Sequence, residues 1–431
     1  MKRSRTSLMQ HLPALLLLAL ASSSRSQARP PTDGTHLDFV VPLPEPVSRA
    51  DCLREIEQKM PRVQRFLHEQ HLAGVLLTAV NNFAWITAGL GNNQIVLTDQ
   101  VGTSSLLIMD DGRRFVITSN SEMQRLLDED LKGLGYAPRV YKWYEDKGKP
   151  DRKLAIIQEL AAGRSIGTDV PFSNLPVIGS AFASLRYQLT DIEVRKYRWL
   201  GHETTEAVIS VARRLRPGMG EFDMEAMASD ALLRRNIQPT VLLMGVDRRV
   251  TEYHHHTPSA ARLQHYAIVN VCARRWGLVA SVARFVHFGP VSAELQKRFD
   301  AAARISAMFE AHSRPGILAD YMLAQAKQWY AEAGYPGVWE EHHQGGAIGY
   351  AEREWVAFPG STEIIHSQQA FAWNPIVRGA LSFDTILVMA DGIENLTHTD
   401  DWPTKKIAID GKTYLMPEIL VGPEESHATT K

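Results

Sequence analysis

Cysteine is almost missing from this chain: Cys52 and Cys272 are the only two in 431 residues. Two thiols, read here as lying in different domains, supply no disulfide framework. An excess of charge of either sign is missing as well, since 47 basic residues face 48 acidic ones for a formal net charge of −1. That balance removes the electrostatic reason to expect nucleic acid or an anionic membrane surface as partner, and leaves small molecules, short peptides or proteins. After Leu20 no apolar run approaches the roughly 20 residues of a membrane span.

What is present begins with an address. Lys2, Arg3 and Arg5 precede an apolar run from Leu12 to Leu20, and Ala19-Leu20-Ala21 has the small-x-small form of a cleavage site. Residues 1–21 are expected to be a secretory signal peptide, which makes the mature chain secreted or periplasmic with no span after cleavage, and no cysteine sits at the cleavage site to take a lipid. The Ser-, Pro- and Arg-rich stretch 22–47 reads as a linker or surface arm. The remaining length, at 45% hydrophobic and 22% charged residues, is ordinary for two or three globular domains.

From residue 49 to about 70, apolar residues at helical spacing (Leu53, Ile56, Met60, Val63, Phe66, Leu67) predict a helix. Short apolar segments follow, GVLLTA, NFAWITAG, SSLLIMDDG and RRFVITSNSE, each read as a strand, with a helix around Glu122 to Leu134. This is an α/β domain over 48–188. A second domain, 189–421, opens with Thr190 as N-cap and Glu193 as the third residue of a capping box, its first helix running to about Leu215. Pro217 and Gly218 stop that helix, and Asp223 starts the next. Hairpins and helices then alternate up to a strand LSFDTILVMADG with a turn at Asp391-Gly392, and 422–431 is a tail.

Three segments carry a resemblance: IVNVCARRWGLVASVARFVHFG (Ile268 to Gly289), HHQGGAIGYAERE (His342 to Glu354) and AFAWNPIVRGALSFDTILV (Ala370 to Val388). Together with the linker before Pro217, they resemble the creatinase/aminopeptidase P/methionine aminopeptidase family, M24. The resemblance implies an α+β chain with an N-terminal creatinase/prolidase-type α/β domain followed by a C-terminal pita-bread domain, and a homodimer. In that family two Asp eleven positions apart, a His in a Gly-His-Gly-Ile-Gly turn and two late Glu hold two divalent ions. Here those positions are Asn270, Ser281, Gly346, Asn374 and Phe383. Two dications need several carboxylates to offset their charge. The expectation is therefore no metal cofactor.

What stands in the cleft is small, neutral and basic. Alternation puts Asn270 and Cys272 on one strand face and Ser281 and Ala283 on one face of the next. Asn270 and Ser281 either hydrogen-bond each other or a water, or contact substrate. The resemblance implies a substrate-contacting His in EYHHHTP, with His255 the first choice and His254 and His256 open. It implies a second at the position of Arg353, just before Glu354, and places Arg284 after the second Asp position. Arg353 and Arg284 are read as holding an anion or as ion-pair partners; Gly345 and Gly346 offer backbone N–H groups, and His343 and Asn374 complete the candidate set. His254, His256, His342, His343 and Glu341 include zinc-ligand types, and two His two residues apart on a strand share a face.

Three functions compete. One is a metal-independent, creatinase-like hydrolase of a C–N bond, amide or amidino, in a small anionic substrate, with His255 as acid/base and Arg353 and Glu354 beside it. The second is a non-catalytic secreted binding protein for a small molecule or short peptide. The third is an Xaa-Pro aminopeptidase- or dipeptidase-like metallopeptidase, which the five replaced positions oppose.

Overall fold

The computed structural model describes residue 40, residues 42–149 and residues 151–423. The predicted leader, much of the 22–47 arm and the tail from 424 onward lie outside the described residues. Helix α1 (Arg49–Glu69) starts at a reciprocal capping box: Ser48 Oγ accepts from the Asp51 amide at 3.1 Å, and Asp51 Oδ2 accepts from the Ser48 amide at 2.8 Å. Its buried stripe includes Ile56, Val63, Phe66 and Leu67, as the spacing predicts, but Met60 is only half-buried and Leu53, expected on the same stripe, is exposed.

A first sheet collects β1 (Gly74–Ala79), β2 (Val101–Met109), β3 (Arg114–Ser119), β4 (Ala137–Tyr141) and β5 (Ile166–Thr168) in the order β4-β3-β2-β1-β5. Between β1 and β2 the sequence reading needs correction, because NFAWITAG is not a strand: Val80–Ile86 is helix α2. Its Phe83, Ala84, Trp85 and Ile86 are all buried, and a short apolar run buried on every side has no periodicity to separate helix from strand. The helix expected over 122–134 is also irregular, a single turn at Met123–Arg125 running into a wider turn at Leu126–Asp130.

After α3 (Arg152–Ala161) comes α4 (Asp191–Ala212), whose N-cap is Thr190 with Glu193 closing the capping box. Helix α5 (Glu221–Leu233) begins two residues before Asp223; Asp223 sits as its third residue and accepts from the Gly220 amide at 2.8 Å. Strands β6 (Gln238–Val246), β7 (Tyr266–Arg275) and β8 (Leu278–Phe288) form an antiparallel sheet, with the short helix α6 (Arg248–Glu252) between β6 and β7. The β7–β8 turn is Trp276-Gly277, both with positive φ (53° and 85°), the geometry that matches strand twist in a two-residue hairpin. A Cβ at Gly277 would press on Tyr350 and Ala84.

Helices α7 (Ala293–His312) and α8 (Ala319–Glu332) precede a second sheet, β9 (Gly345–Ile348), β10 (Trp355–Val356), β11 (Gln369–Trp373), β12 (Ile386–Val388) and β13 (Ile393–Asn395). Its order is β10-β9-β11-β12-β13. The predicted LSFDTILVMADG strand is thus broken, Leu381 pairing with Ile376 in a separate short hairpin and Ile386–Val388 pairing in this sheet, and it is not the last element. A further hairpin, β14 (Thr404–Ile409) and β15 (Lys412–Pro417), packs on Ala303, Ala307 and Ala311 of α7, and β16 (Leu420–Gly422) pairs parallel to β8. One apolar core joins α1, α2, α4, the β6–β8 sheet and β11 through Phe66, Trp85, Tyr197, Ile268 and Phe371. Both cysteines are buried and free, and no helix among the described residues is long and apolar enough to cross a membrane.

Candidate functional site

The β7–β8 register sets the floor of the site. It pairs Asn270 with Ala283 and Cys272 with Ser281. The Cys272 thiol and Ser281 hydroxyl lie 3.1 Å apart, so the partner of Ser281 is Cys272 and not Asn270. Burial pushes the Cys272 thiol up, which leaves it a small core side chain and not a nucleophile. Phe383 joins this hairpin through its carbonyl, which accepts from the Ala283 amide at 2.9 Å, and Thr385 Oγ1 accepts from the Ser281 amide at 2.8 Å.

Arg353 reaches over this floor, its guanidinium 5.7 Å from the centroid of the Phe383 ring, within cation–π range. Nη1 donates to the Glu352 carbonyl at 2.7 Å, and no carboxylate pairs with Arg353 among the described residues. Three polar atoms here are buried without a hydrogen-bond partner: Arg353 Nε, Asn270 Oδ1 and Asn374 Oδ1. Orphaned groups of this kind are costly and mark where a ligand or water atom belongs.

The two other charged candidates are committed elsewhere. Glu354, expected in the catalytic set, forms a buried pair with Arg186, whose Nε donates to Oε1 at 3.2 Å, and also accepts from the Tyr350 amide at 2.9 Å. Arg284, expected to contact substrate, bonds Asp384 at 2.9 Å and the Thr397 carbonyl at 2.8 Å with its side chain 2% exposed. Both are structural ion pairs.

The dinuclear pair of the resembled family does not fit these residues. Asn270, Ser281, Asn374 and Phe383 are at most 7% exposed and bear no carboxylate or imidazole. A Cβ built on Gly346 would collide with the Trp355 carbonyl oxygen across the β9–β10 pairing, so the backbone has closed over the space an imidazole would need. Among the described residues no group of three or more His, Cys, Asp or Glu could hold a metal ion.

The His run falls in a loop after α6 and not on a strand, so His254 and His256 do not share a face. His256 turns away to pack on Gly245, with Nε2 3.4 Å from the Val250 carbonyl. His254 Nε2 lies 3.7 Å from Glu341, which Arg378 also holds. His255 faces His342, Nε2 to Nε2 at 3.3 Å. His342 Nδ1 lies 2.7 Å from the His343 carbonyl, and only an N–H can bond a carbonyl, so Nε2 of neutral His342 is an acceptor. Burial lowers the pKa of His342 to about 4 and of His343 to about 3, the Arg353 charge adding to the shift in both, which links the imidazole cluster to the Arg353 floor. The Gly345 amide is spoken for, since it donates to His343 Nδ1 at 3.1 Å.

Sequence reasoning missed His342 as the partner of His255. A signal existed only in the residue type, because the two are 87 positions apart. It also missed a buried cluster behind the site, in which Lys59 and Lys196 meet Glu55 and Glu193, with the Tyr350 hydroxyl donating to Glu193 at 2.7 Å.

Comparison with known proteins places this geometry. The model of metallopeptidase family M24 matches residues 196–395. No curated protein matches the sequence significantly. Among solved structures, a dipeptidase, PepE, of Mycobacterium ulcerans superimposes with a TM-score of 0.69 at 17% identity, covering 86% of this chain and 99% of its own. A prolidase from Pyrococcus horikoshii gives a TM-score of 0.67 at 14% identity over 80% of this chain and 99% of its own. The N-terminal domain of the FACT complex subunit SPT16 from chickpea gives 0.60 at 12% identity over 80% of this chain and 96% of its own. By these matches residues 196–395 are similar to metallopeptidase family M24, and the chain has the pita-bread fold of its structural neighbours.

Proposed function

We propose that the protein is a metal-independent hydrolase of a C–N bond, amide or amidino, in a small anionic substrate, with His255 as acid/base. The observation that carries this reading is the His255–His342 pair. With His342 Nε2 an acceptor, His255 donates its Nε2–H and keeps the Nδ1 lone pair free, the base-plus-orienter arrangement that acid/base catalysis requires. His255 would take a proton from the attacking water and return it to the leaving nitrogen as the C–N bond breaks. Arg353, without a carboxylate of its own, supports recognition of a substrate carboxylate, and the orphaned oxygens of Asn270 and Asn374 suit donors on the same molecule. The leader implied by the first residues supports a site of action outside the cytoplasm, and N-terminal sequencing of exported protein tests it.

The near-complete burial of Asn270, Ser281 and Phe383 favours a second reading, a binding protein that no longer turns over its ligand. A panel of amide, amidino and Xaa-Pro compounds assayed with and without chelator decides between them. Turnover insensitive to chelator, falling on the order of a hundredfold in His255→Ala, supports the hydrolase. Binding without turnover supports the second reading, and chelator-sensitive peptidase activity sinks both.

A further inference from the structure

Glu310 is a buried acid with no hydrogen-bond or ion-pair partner among the described residues. It sits on α7, 5% exposed, and lines a cavity of about 960 Å³ between the end of α7, the β12–β13 turn and the β14–β15 hairpin. None of the cleft residues described above lines it. Its size lies within the range of small-molecule sites. The carboxyl at the base is flanked by apolar walls from Ala311, Met389 and Ile393, while Arg314 and Lys412 stand exposed at the mouth.

We propose that this cavity binds a small zwitterion, an amino acid or short peptide, with the ligand's ammonium on Glu310 and its carboxylate between Arg314 and Lys412.

Each end of the ligand answers a specific feature. A buried polar group without a partner is costly, and an ammonium supplies both the donors and the counter-charge that Glu310 lacks. The neighbouring Asp384 cannot serve, because a carboxylate offers neither donors nor positive charge; its Oδ1 accepts from Arg284 and Thr397 and its Oδ2 is itself buried without a partner. A bare amine would meet the repulsion of Arg314 and Lys412, and a bare anion would reach the mouth and leave Glu310 unsatisfied. The other ionisable groups lining the cavity are Tyr414, Asp391 and His398, the last lying 3.5 Å from Asp400.

The same setting predicts a proton. Burial, with the Asp384 charge adding to it, pushes the Glu310 carboxyl well above the usual carboxylate range, which favours the protonated acid in the empty site. Binding then exchanges one cation for another: the carboxylic acid loses its proton to solvent as the ligand's ammonium takes its place.

Calorimetry at pH 7 in phosphate and in Tris tests this with alanine, di-alanine and tri-alanine, against propylamine and butyrate as single-charge probes. The expected result is binding of at least one zwitterion with a buffer-dependent heat that reports proton release. Glu310→Gln, which keeps the side chain's size and is checked for folding by its melting curve, should weaken binding by at least about tenfold and remove the buffer dependence. Lys412→Ala should weaken it severalfold, and Arg353→Ala should leave it unchanged, which separates this site from the cleft. No binding of any zwitterion at ~10 mM overturns the proposal, that concentration lying beyond the millimolar limit of a specific weak site. Equal affinity for propylamine, full affinity in Glu310→Gln, or loss of binding in Arg353→Ala overturns it too.

Discussion

Lys59 Nζ lies 2.8 Å from Glu193 Oε1, both side chains essentially shut off from solvent, and this bond ties α1 to the first turn of α4. Glu193 spends its other oxygen on the Thr190 amide at 2.7 Å, so one carboxylate both caps α4 and holds a buried ammonium. Burial works to raise its pKa, but the Lys59 charge and the hydrogen bonds from Thr190 and Tyr350 outweigh that and hold it below the ordinary value. Lys196 pairs with Glu55 at 2.6 Å, giving two ammonium groups against two carboxylates. Because Tyr350 belongs to the turn that carries Arg353, the same cluster anchors the candidate site from behind.

Removing one member leaves an uncompensated buried charge. Lys59→Met is expected to cost about 3–5 kcal/mol of stability in chemical denaturation, the scale for breaking a buried pair. A loss under about 1 kcal/mol, the value of surface pairs, would show that water reaches the cluster.

Metal should not return by restoring one ligand. The purified protein is expected to carry well under one equivalent of Mn, Co, Zn or Fe per chain, and chelator should leave its thermal unfolding unchanged, since the five positions offer no carboxylate, imidazole or thiolate. Gly346→His should gain no metal and should lose stability, because its Cβ meets the Trp355 carbonyl. Elemental analysis beside a melting curve checks both, and two equivalents of metal in the parent protein would overturn the metal-free reading.

Arg353→Ala separates recognition from structure. A carboxylate-bearing cleft ligand should lose about 2–5 kcal/mol of binding, the scale for truncating one partner of a buried charge pair. Unchanged affinity would leave Arg353 as a cation packed on Phe383 and nothing more.

Acid should loosen the His cluster first. His254, His256, His342 and His343 all have lowered pKa values, with burial the leading cause, against an ordinary value of 6.5. Below that value the unfolded chain takes up protons that the folded one does not, so the stability these groups contribute is complete above pH 6.5. It is lost as pH falls toward about 4 for His342 and about 3 for His343. The melting temperature should therefore drop over that window, and His342→Asn with His343→Asn should flatten the slope. A slope identical in the double variant would assign the acid sensitivity to other groups.

The sequence alone carried what is local or periodic. The stripe of α1, the Thr190–Glu193 capping box and the alternation of the β7–β8 strands depend on neighbours a few positions apart, and the structure keeps all three, apart from Leu53, which the stripe expected buried and the fold leaves exposed. The residue types at the five positions matched through the resemblance are likewise legible in the sequence, because charge and ligating chemistry belong to the side chain itself. Tertiary structure decided everything that needed a distant partner. It made Val80–Ile86 a helix, since burial on all sides erases the pattern that tells helix from strand. It sent Glu354 to Arg186 across 168 positions and Arg284 to Asp384 across 100, and brought His255 to His342 across 87. An unpaired charge seeks whichever opposite charge the fold places beside it, and no spacing along the chain encodes that choice.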